Sequence, residues 1–284
     1  MSFSCYFSKR YLLIDKYIIN MDLKKKLKYG IEVLPKSIGM RFLSEDSLIV
    51  NMLLGCGPNA IAKRVLLPAV PTCTSRILSF IKKPEVKGQT HLGKIDSLDV
   101  SVVPTGIGCP SAAIVMEALH RAKVKIAVRV DFVGGLMEYL RIGDIVIANS
   151  AFKGDGTTKH YMEGEKVEAD SNLTNLLIQK SKDYDRKIYV GPVWTTDALF
   201  RETPELYKEA VKKGSIGIDM ESSAIFTLGK IYKMRTAAIM VVSDKPGTEE
   251  SLVHAVKYAS ELLQGLDDAI KIALSAIVSF GDIV

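Results

Sequence analysis

Cysteine is scarce in this chain of 284 residues: only Cys5, Cys56, Cys73 and Cys109, with no C-x-x-C pair. Four histidines, His91, His120, His160 and His254, are scattered along it. Neither pattern has the spacing of a zinc site or of a disulfide framework. No metal is therefore expected, and a reducing setting, the cytoplasm, is the natural reading. No apolar run approaches the ~20 residues that cross a bilayer. Near the N-terminus "YLLI" is short, and Asp15 and Lys16 interrupt it before "YII", so no signal peptide is indicated. Pro/Gly/Ser-rich linkers and internal repeats are missing too. Residues 1–21 read as an N-terminal extension, with Met21 an alternative start, and residues 22–284 as one domain.

What is present is ordinary for a soluble globular chain: 48% hydrophobic and 25% charged residues. The net charge of +6 is concentrated in part in "KRYLLIDK" and "MDLKKKLKYG". These runs lack the basic and aromatic interleaving of a nucleic-acid surface, so they read as solvated faces. Neither a nucleic-acid nor a membrane partner is expected.

Val- and Ile-rich runs recur at 47–54 ("SLIVNMLL"), 98–105, 125–133, 142–152, 187–196 and 236–243. They read as buried strands. Helical patterns lie between several of them: "PSAAIVMEALHRAK" opens on Pro110 and Ser111, and "DSNLTNLLIQKSKDY" has Asp170 or Ser171 as its cap. "ESSAIFTLGKIYK" and the C-terminal segment keep the same period. Strands alternating with helices imply an α/β layer architecture.

Three stretches carry chemistry. "VVPTGIGCPSAAIVMEAL" (102–119) is strand, glycine turn, helix; Gly106 and Gly108 let a backbone approach an anion at a helix N-terminus. "AVRVDFVGGLMEYL" sets Arg129 inside a strand of valines, which is costly unless the side chain is paired or reaches solvent. Gly134 and Gly135 follow, and leave room for a ligand. "GIDMESSAIF" (217–226) sets Asp219 and Glu221 within a small apolar run. Those acids suit either a ligand or the N-terminus of a helix.

Together "PTGIGCPSAAIVMEAL", "VRVDFVGGLMEYLRIGDIVIANSAFKGDGTTKHY" and "GIDMESSAIFTLGKIYKMRTAAIMVVSD" resemble the hexameric nucleoside phosphorylases in order and spacing. These are the purine nucleoside and uridine phosphorylases, with the methylthioadenosine phosphorylases and nucleosidases. The resemblance implies a three-layer α/β/α fold with a central mixed, partly barrel-like sheet. It implies cleavage of a nucleoside's C–N glycosidic bond, with phosphate as co-substrate and no cofactor. It further implies a homo-oligomer built on dimers, a hexamer.

Residue by residue, the resemblance makes Glu221 the acid that binds the ribose hydroxyls and Met220 the contact behind the sugar. Ser243 and Asp244 lie at a strand end, where purine-specific relatives bring an aspartate to N7 of the base. Phe200, or Leu199 in an equally good register, would stack on the base. The uracil-reading glutamine and arginine have no match, which favours a purine. Phosphate would be held by Arg129, the Gly106–Gly108 turn and Lys87, the last standing near an arginine that a neighbouring subunit donates. The family's first phosphate loop, Gly-Asp-Pro-x-Arg, falls on "LLGCGPNAIAKR" if 47–54 is the first strand. There Pro58 keeps the proline, Gly57 replaces the aspartate and Ala60 the arginine. Phe132 replaces a threonine, and the histidine from the N-terminal region has no match before His91. These departures keep two alternatives open: a hydrolytic nucleosidase, and a nucleoside-binding relative without catalysis.

Overall fold

The computed structural model describes residues 44–251 and 255–280. The chain divides into two units, residues 1–48 and 49–284. The expected boundary between residues 21 and 22 lies outside the described residues.

The first described element corrects the sequence reading. "SLIVNMLL" is not a strand but part of helix α1, Glu45–Leu54. The local signal for a helix was available. The Ser47 N–H donates to the Ser44 hydroxyl at 3.2 Å, and Glu45 and Asp46 stand in the first turn, where the helix dipole favours acids. Gly55, at φ +70, follows the last residue.

Among the described residues ten strands form one sheet: β1 (Arg64–Leu67), β2 (Lys82–Lys87), β3 (Thr90–Ile95), β4 (Leu98–Val102), β5 (Ile126–Gly135), β6 (Ile145–Gly154), β7 (Lys166–Glu168), β8 (Ile188–Thr196), β9 (Gly217–Asp219) and β10 (Arg235–Asp244). Their order is β10-β6-β8-β9-β5-β1-β4-β3-β2, with β7 beside β6. Strand β10 also pairs in parallel with β5, so β5, β9, β8, β6 and β10 close into a five-strand ring. Pairing is parallel for β5–β10, β6–β8 and β8–β9, and antiparallel for β6–β10 and β5–β9. The sheet is therefore mixed and barrel-like.

The two-residue period of the strands sorts their side chains into two cores. Ala238, Met240 and Val242 of β10 pack in one cluster with helices α3 (Cys109–Arg121) and α6 (Ser222–Ile231). Ala237, Ile239 and Val241 pack in the other with α2 (Pro71–Leu78), α4 (Ser171–Ser181) and α7 (Ala259–Ser279). Helix α5 (Pro204–Lys212) contributes Ala210 to a small third cluster with Trp194 and Ile218. None of the described helices is long and apolar enough to cross a membrane.

Asp170 is the cap of α4, and Ser171 its first residue. The Leu173 N–H donates to Asp170 Oδ1 at 2.9 Å, and Arg235 pairs with the same carboxylate at 2.8 Å. Asp170→Ala is expected to destabilise the protein by about 1 kcal/mol, the usual worth of an N-cap. The half-exposed ion pair adds little. The shift of the denaturant midpoint measures it.

Candidate active site

Strand β5 carries the site because its partners change along its length. One edge pairs with β1 as far as Leu67 against Arg129. The same edge meets β9 only from Gly134 against Ile218. Residues 130–133 have no strand on that side, and there the sheet opens into a cavity of about 410 Å³. It is lined by Arg129, Asp131, Met220, Glu221, Ser243 and Asp244, among others. Cavities of about 550 and 630 Å³ also exist, but neither gathers buried acids about a buried cation. Convergent polar groups, not volume, select the first.

Arg129 is 2% exposed, so its charge must be answered inside the protein. Three acids answer it. Glu221 Oε2 is 2.5 Å from Nη2, Asp131 Oδ2 is 3.4 Å from Nη1, and Asp219 Oδ2 is 3.4 Å from Nε. Burial works against the arginine's charge, and Glu221, Asp131 and Asp219 more than offset it, so it stays protonated. This explains two acids in an apolar run: the end of β9 brings Asp219, and the turn into α6 brings Glu221, to a buried guanidinium.

The two acids then divide their work. Asp219 accepts from Thr195 Oγ1 at 2.7 Å and from the Ser222 N–H at 3.0 Å, so it is the acid that holds the start of α6. Glu221 caps nothing with its side chain. Its Oε1 accepts the Gly108 N–H at 2.7 Å, which links the glycine turn directly to the acid. Gly108 sits at φ +94, a conformation that favours glycine. Burial pushes the Glu221 carboxyl up to about 7, against the pull of Arg129.

Ser243 and Asp244 stand at the end of β10 on the cavity wall. The Ser243 hydroxyl donates to Asp244 Oδ1 at 2.6 Å. Burial raises the Asp244 carboxyl above its ordinary range, and that hydrogen bond only partly counters it. Glu202 is raised as well, by burial first, with the charge of Asp244 adding to it. Tyr207 donates to Glu202 at 3.0 Å. Glu202 was visible in the sequence, but nothing in its spacing placed it near Asp244.

Other expected residues lie elsewhere. Phe200 is 89% exposed, and Leu199 is the residue of that pair that lines the cavity. Lys87 ends the exposed strand β2, 3.3 Å from Glu85, and borders a different cavity. Gly106 borders the second cavity rather than this one. Gly134 does line the cavity, and a Cβ there would come within 2.8 Å of Pro246 and 2.9 Å of Ile218, so the position has room for glycine alone.

Gly57 requires a correction that follows from α1. The first strand is β1, so the stretch after it is residues 68–70, opening α2 at Pro71. Gly57 precedes β1, at the start of the short 3-10 turn Pro58–Ala60, and is absent from the cavity wall. In the corrected register the family's Gly-Asp-Pro-x-Arg falls on Ala69, Val70, Pro71, Thr72 and Cys73. The arginine is still missing, but its place is Cys73, not Ala60. The Cys73 thiol donates to Asp131 Oδ1 at 3.4 Å, and burial with the charge of Asp131 keeps it protonated. Asp131 itself was overlooked. Its signal was its position two residues after Arg129, on the same face of the strand.

A second polar hub anchors the loop after β6. Asp155 accepts from the Thr157 and Thr158 N–H groups at 2.8 and 2.7 Å, and from the Thr158 and Ser223 hydroxyls, both at 2.7 Å. Cys109, Asp155 and Asp197 offer atoms within 4.8 Å of one another. Asp155 is committed to its four donors, and burial holds the Cys109 thiol protonated. Asp155 therefore works as a hydrogen-bond anchor between the loop and helix α6, which it meets at Ser223.

Comparison with known proteins bears on the family and the fold. A family model described as the phosphorylase superfamily matches residues 66–277. A guanosine phosphorylase of Halorubrum lacusprofundi is 30% identical over 225 residues, covering 75% of this chain and 92% of that protein. A uridine phosphorylase of Thermococcus kodakarensis is 28% identical over 216 residues, covering 69% and 78%. The crystal structure of a uridine phosphorylase from Vibrio fischeri ES114 superposes with a TM-score of 0.70 at 23% identity, covering 78% of this chain and 94% of that one; it speaks to the fold alone.

Proposed function

The chain belongs to the phosphorylase superfamily, and from that membership we propose that it cleaves the N-glycosidic bond of a purine nucleoside, with inorganic phosphate as acceptor. The products are the free base and ribose 1-phosphate, which makes it a pentosyltransferase. The relatives carry both purine and uridine names, so membership alone does not select the base. The observation that carries the purine reading is the convergence of Met220–Glu221 and Ser243–Asp244 on one cavity.

Each group has a role in that reaction. Glu221 accepts the ribose hydroxyls, and Arg129 and the Gly108 N–H hold it in place for them. Its negative charge lies where the sugar ring becomes oxocarbenium-like. Met220 backs the sugar, and Leu199 covers the base. Asp244, whose carboxyl burial shifts toward the protonated form, gives a proton to N7 as the bond from C1′ to N9 breaks. A phosphate oxygen forms the new bond at C1′. No cofactor enters these steps. A homo-oligomer built on dimers remains part of the proposal, supported by two exposed apolar side chains, Ile107 on the cavity wall and Phe200 beside Leu199.

A second reading, hydrolysis by water, is favoured by one feature: three carboxylates face the single guanidinium that would receive phosphate. Incubation with inosine, adenosine, methylthioadenosine and uridine, with and without phosphate, separates the two. Phosphate-dependent release of base with ribose 1-phosphate is expected. Equal turnover in phosphate-free buffer, with free ribose, would assign the hydrolytic class.

A further inference from the structure

The cavity holds donors suited to an anion, and a side chain of the protein already occupies them. The stretch after β1 presents the Ala69 N–H just before helix α2, whose N-terminus favours negative charge. Arg129 adds a buried guanidinium whose Nε and Nη1 have no hydrogen-bond partner. Into this set comes the carboxylate of Asp131. Its Oδ2 accepts the Ala69 N–H and lies 3.4 Å from Arg129 Nη1. Its Oδ1 accepts the Phe132 N–H at 2.9 Å and the Cys73 thiol at 3.4 Å. A backbone N–H, a helix N-terminus and a guanidinium are the elements that hold phosphate oxygens in general.

Neutralising Arg129 does not require Asp131. Glu221 already meets the guanidinium at 2.5 Å and Asp219 approaches it at 3.4 Å. A third buried carboxylate adds repulsion toward any incoming anion and between the acids themselves. Asp131 is also tethered on a rigid strand, so it meets its donors without the entropy cost that free phosphate must meet.

We propose that Asp131 sets the strength with which this site holds its acceptor: its carboxylate is a tethered anion in the phosphate seat, and phosphate binds by competing with it. The proposal rests on the reading that phosphate is the acceptor at this cavity. It makes Asp131 a specificity-determining residue. The unaltered chain holds phosphate weakly, and loss of the carboxylate tightens it.

The test measures phosphate in two ways on the full chain. Calorimetry with inorganic phosphate gives Kd without need of turnover, and phosphate titration at saturating inosine gives KM. Asp131→Gly opens the seat, while Asp131→Asn keeps the volume and removes the charge in case the glycine variant does not fold. Each is expected to lower Kd and KM for phosphate by about tenfold or more, a gain of at least one charge-assisted contact. The KM for inosine is expected to move little. A purely structural role for Asp131 would weaken phosphate binding or leave it alone, and either outcome in a folded variant overturns the proposal. Micromolar phosphate affinity in the unaltered chain overturns it as well. If no protein cleaves a nucleoside but both variants bind phosphate more tightly, the seat stands and the reaction reading falls. If cleavage is phosphate-dependent with the same KM in all three proteins, the reaction stands and the seat falls.

Discussion

Asp244→Asn is expected to lower kcat/KM for inosine by about 10²–10⁴-fold, the usual worth of a general acid. A purine departs poorly as an anion, so a proton at N7 carries much of the barrier reduction. Asparagine can still donate a hydrogen bond but cannot release a proton. The matched control is a riboside with an activated aryl leaving group, which departs unaided; it should lose far less. An equal loss on both substrates would make the role of Asp244 structural.

The pH dependence of the same pair has a definite sign. Burial raises the folded-state carboxyl of Asp244, so the protonated form persists to higher pH than in an exposed aspartate. Activity on inosine is therefore expected to fall as pH rises through that raised value, and Asp244→Asn should lack this limb. Stability follows the same sense. The folded state binds the proton more tightly than the unfolded chain, so the contribution of Asp244 is full below its unfolded pKa and is lost as pH rises through the folded one.

Arg129→Met is expected to cost about 3–5 kcal/mol of stability, the range for removing one partner from a buried ion pair. Methionine fills similar space, so the cost is electrostatic rather than a cavity. Asp131, Asp219 and Glu221 would face one another without a cation. The variant should recover stability on acidification. Without Arg129 the Glu221 carboxyl, which burial already raises to about 7, loses the charge that favours its ionised form, so the folded state binds that proton more tightly than the unfolded chain. Chemical denaturation at about pH 7.5 and about pH 5.5 reads this out: the deficit relative to the unaltered protein should shrink at the lower pH. A deficit independent of pH would point to packing as the cause.

The sequence by itself determined the architecture and the chemistry-bearing stretches. Val- and Ile-rich runs marked β5, β6, β8 and β10, because buried strands need continuous apolar residues and that signal is local. Asp170 was readable as a cap from its place ahead of a helical period. The stretches around Met220–Glu221, Arg129 and Ser243–Asp244 were legible as segments, and their convergence on one cavity came from the closure of the strand ring. Only the tertiary structure decided the rest. The helix at residues 47–54 is the exception, since the serine cap and two acids ahead of a run that composition alone reads as a strand are local signals. That change moves the first phosphate loop from Gly57 to residues 68–73. Whether Phe200 or Leu199 meets the cavity depends on one step of rotation in a short 3-10 turn, Leu199–Arg201. The arginine cage was hidden for a deeper reason. Asp131 is two residues from Arg129 on one strand, while Asp219 and Glu221 come from the junction of β9 and α6, some ninety positions away. Burial makes a charge find its partners in space, and no local period in the sequence records which partners those are.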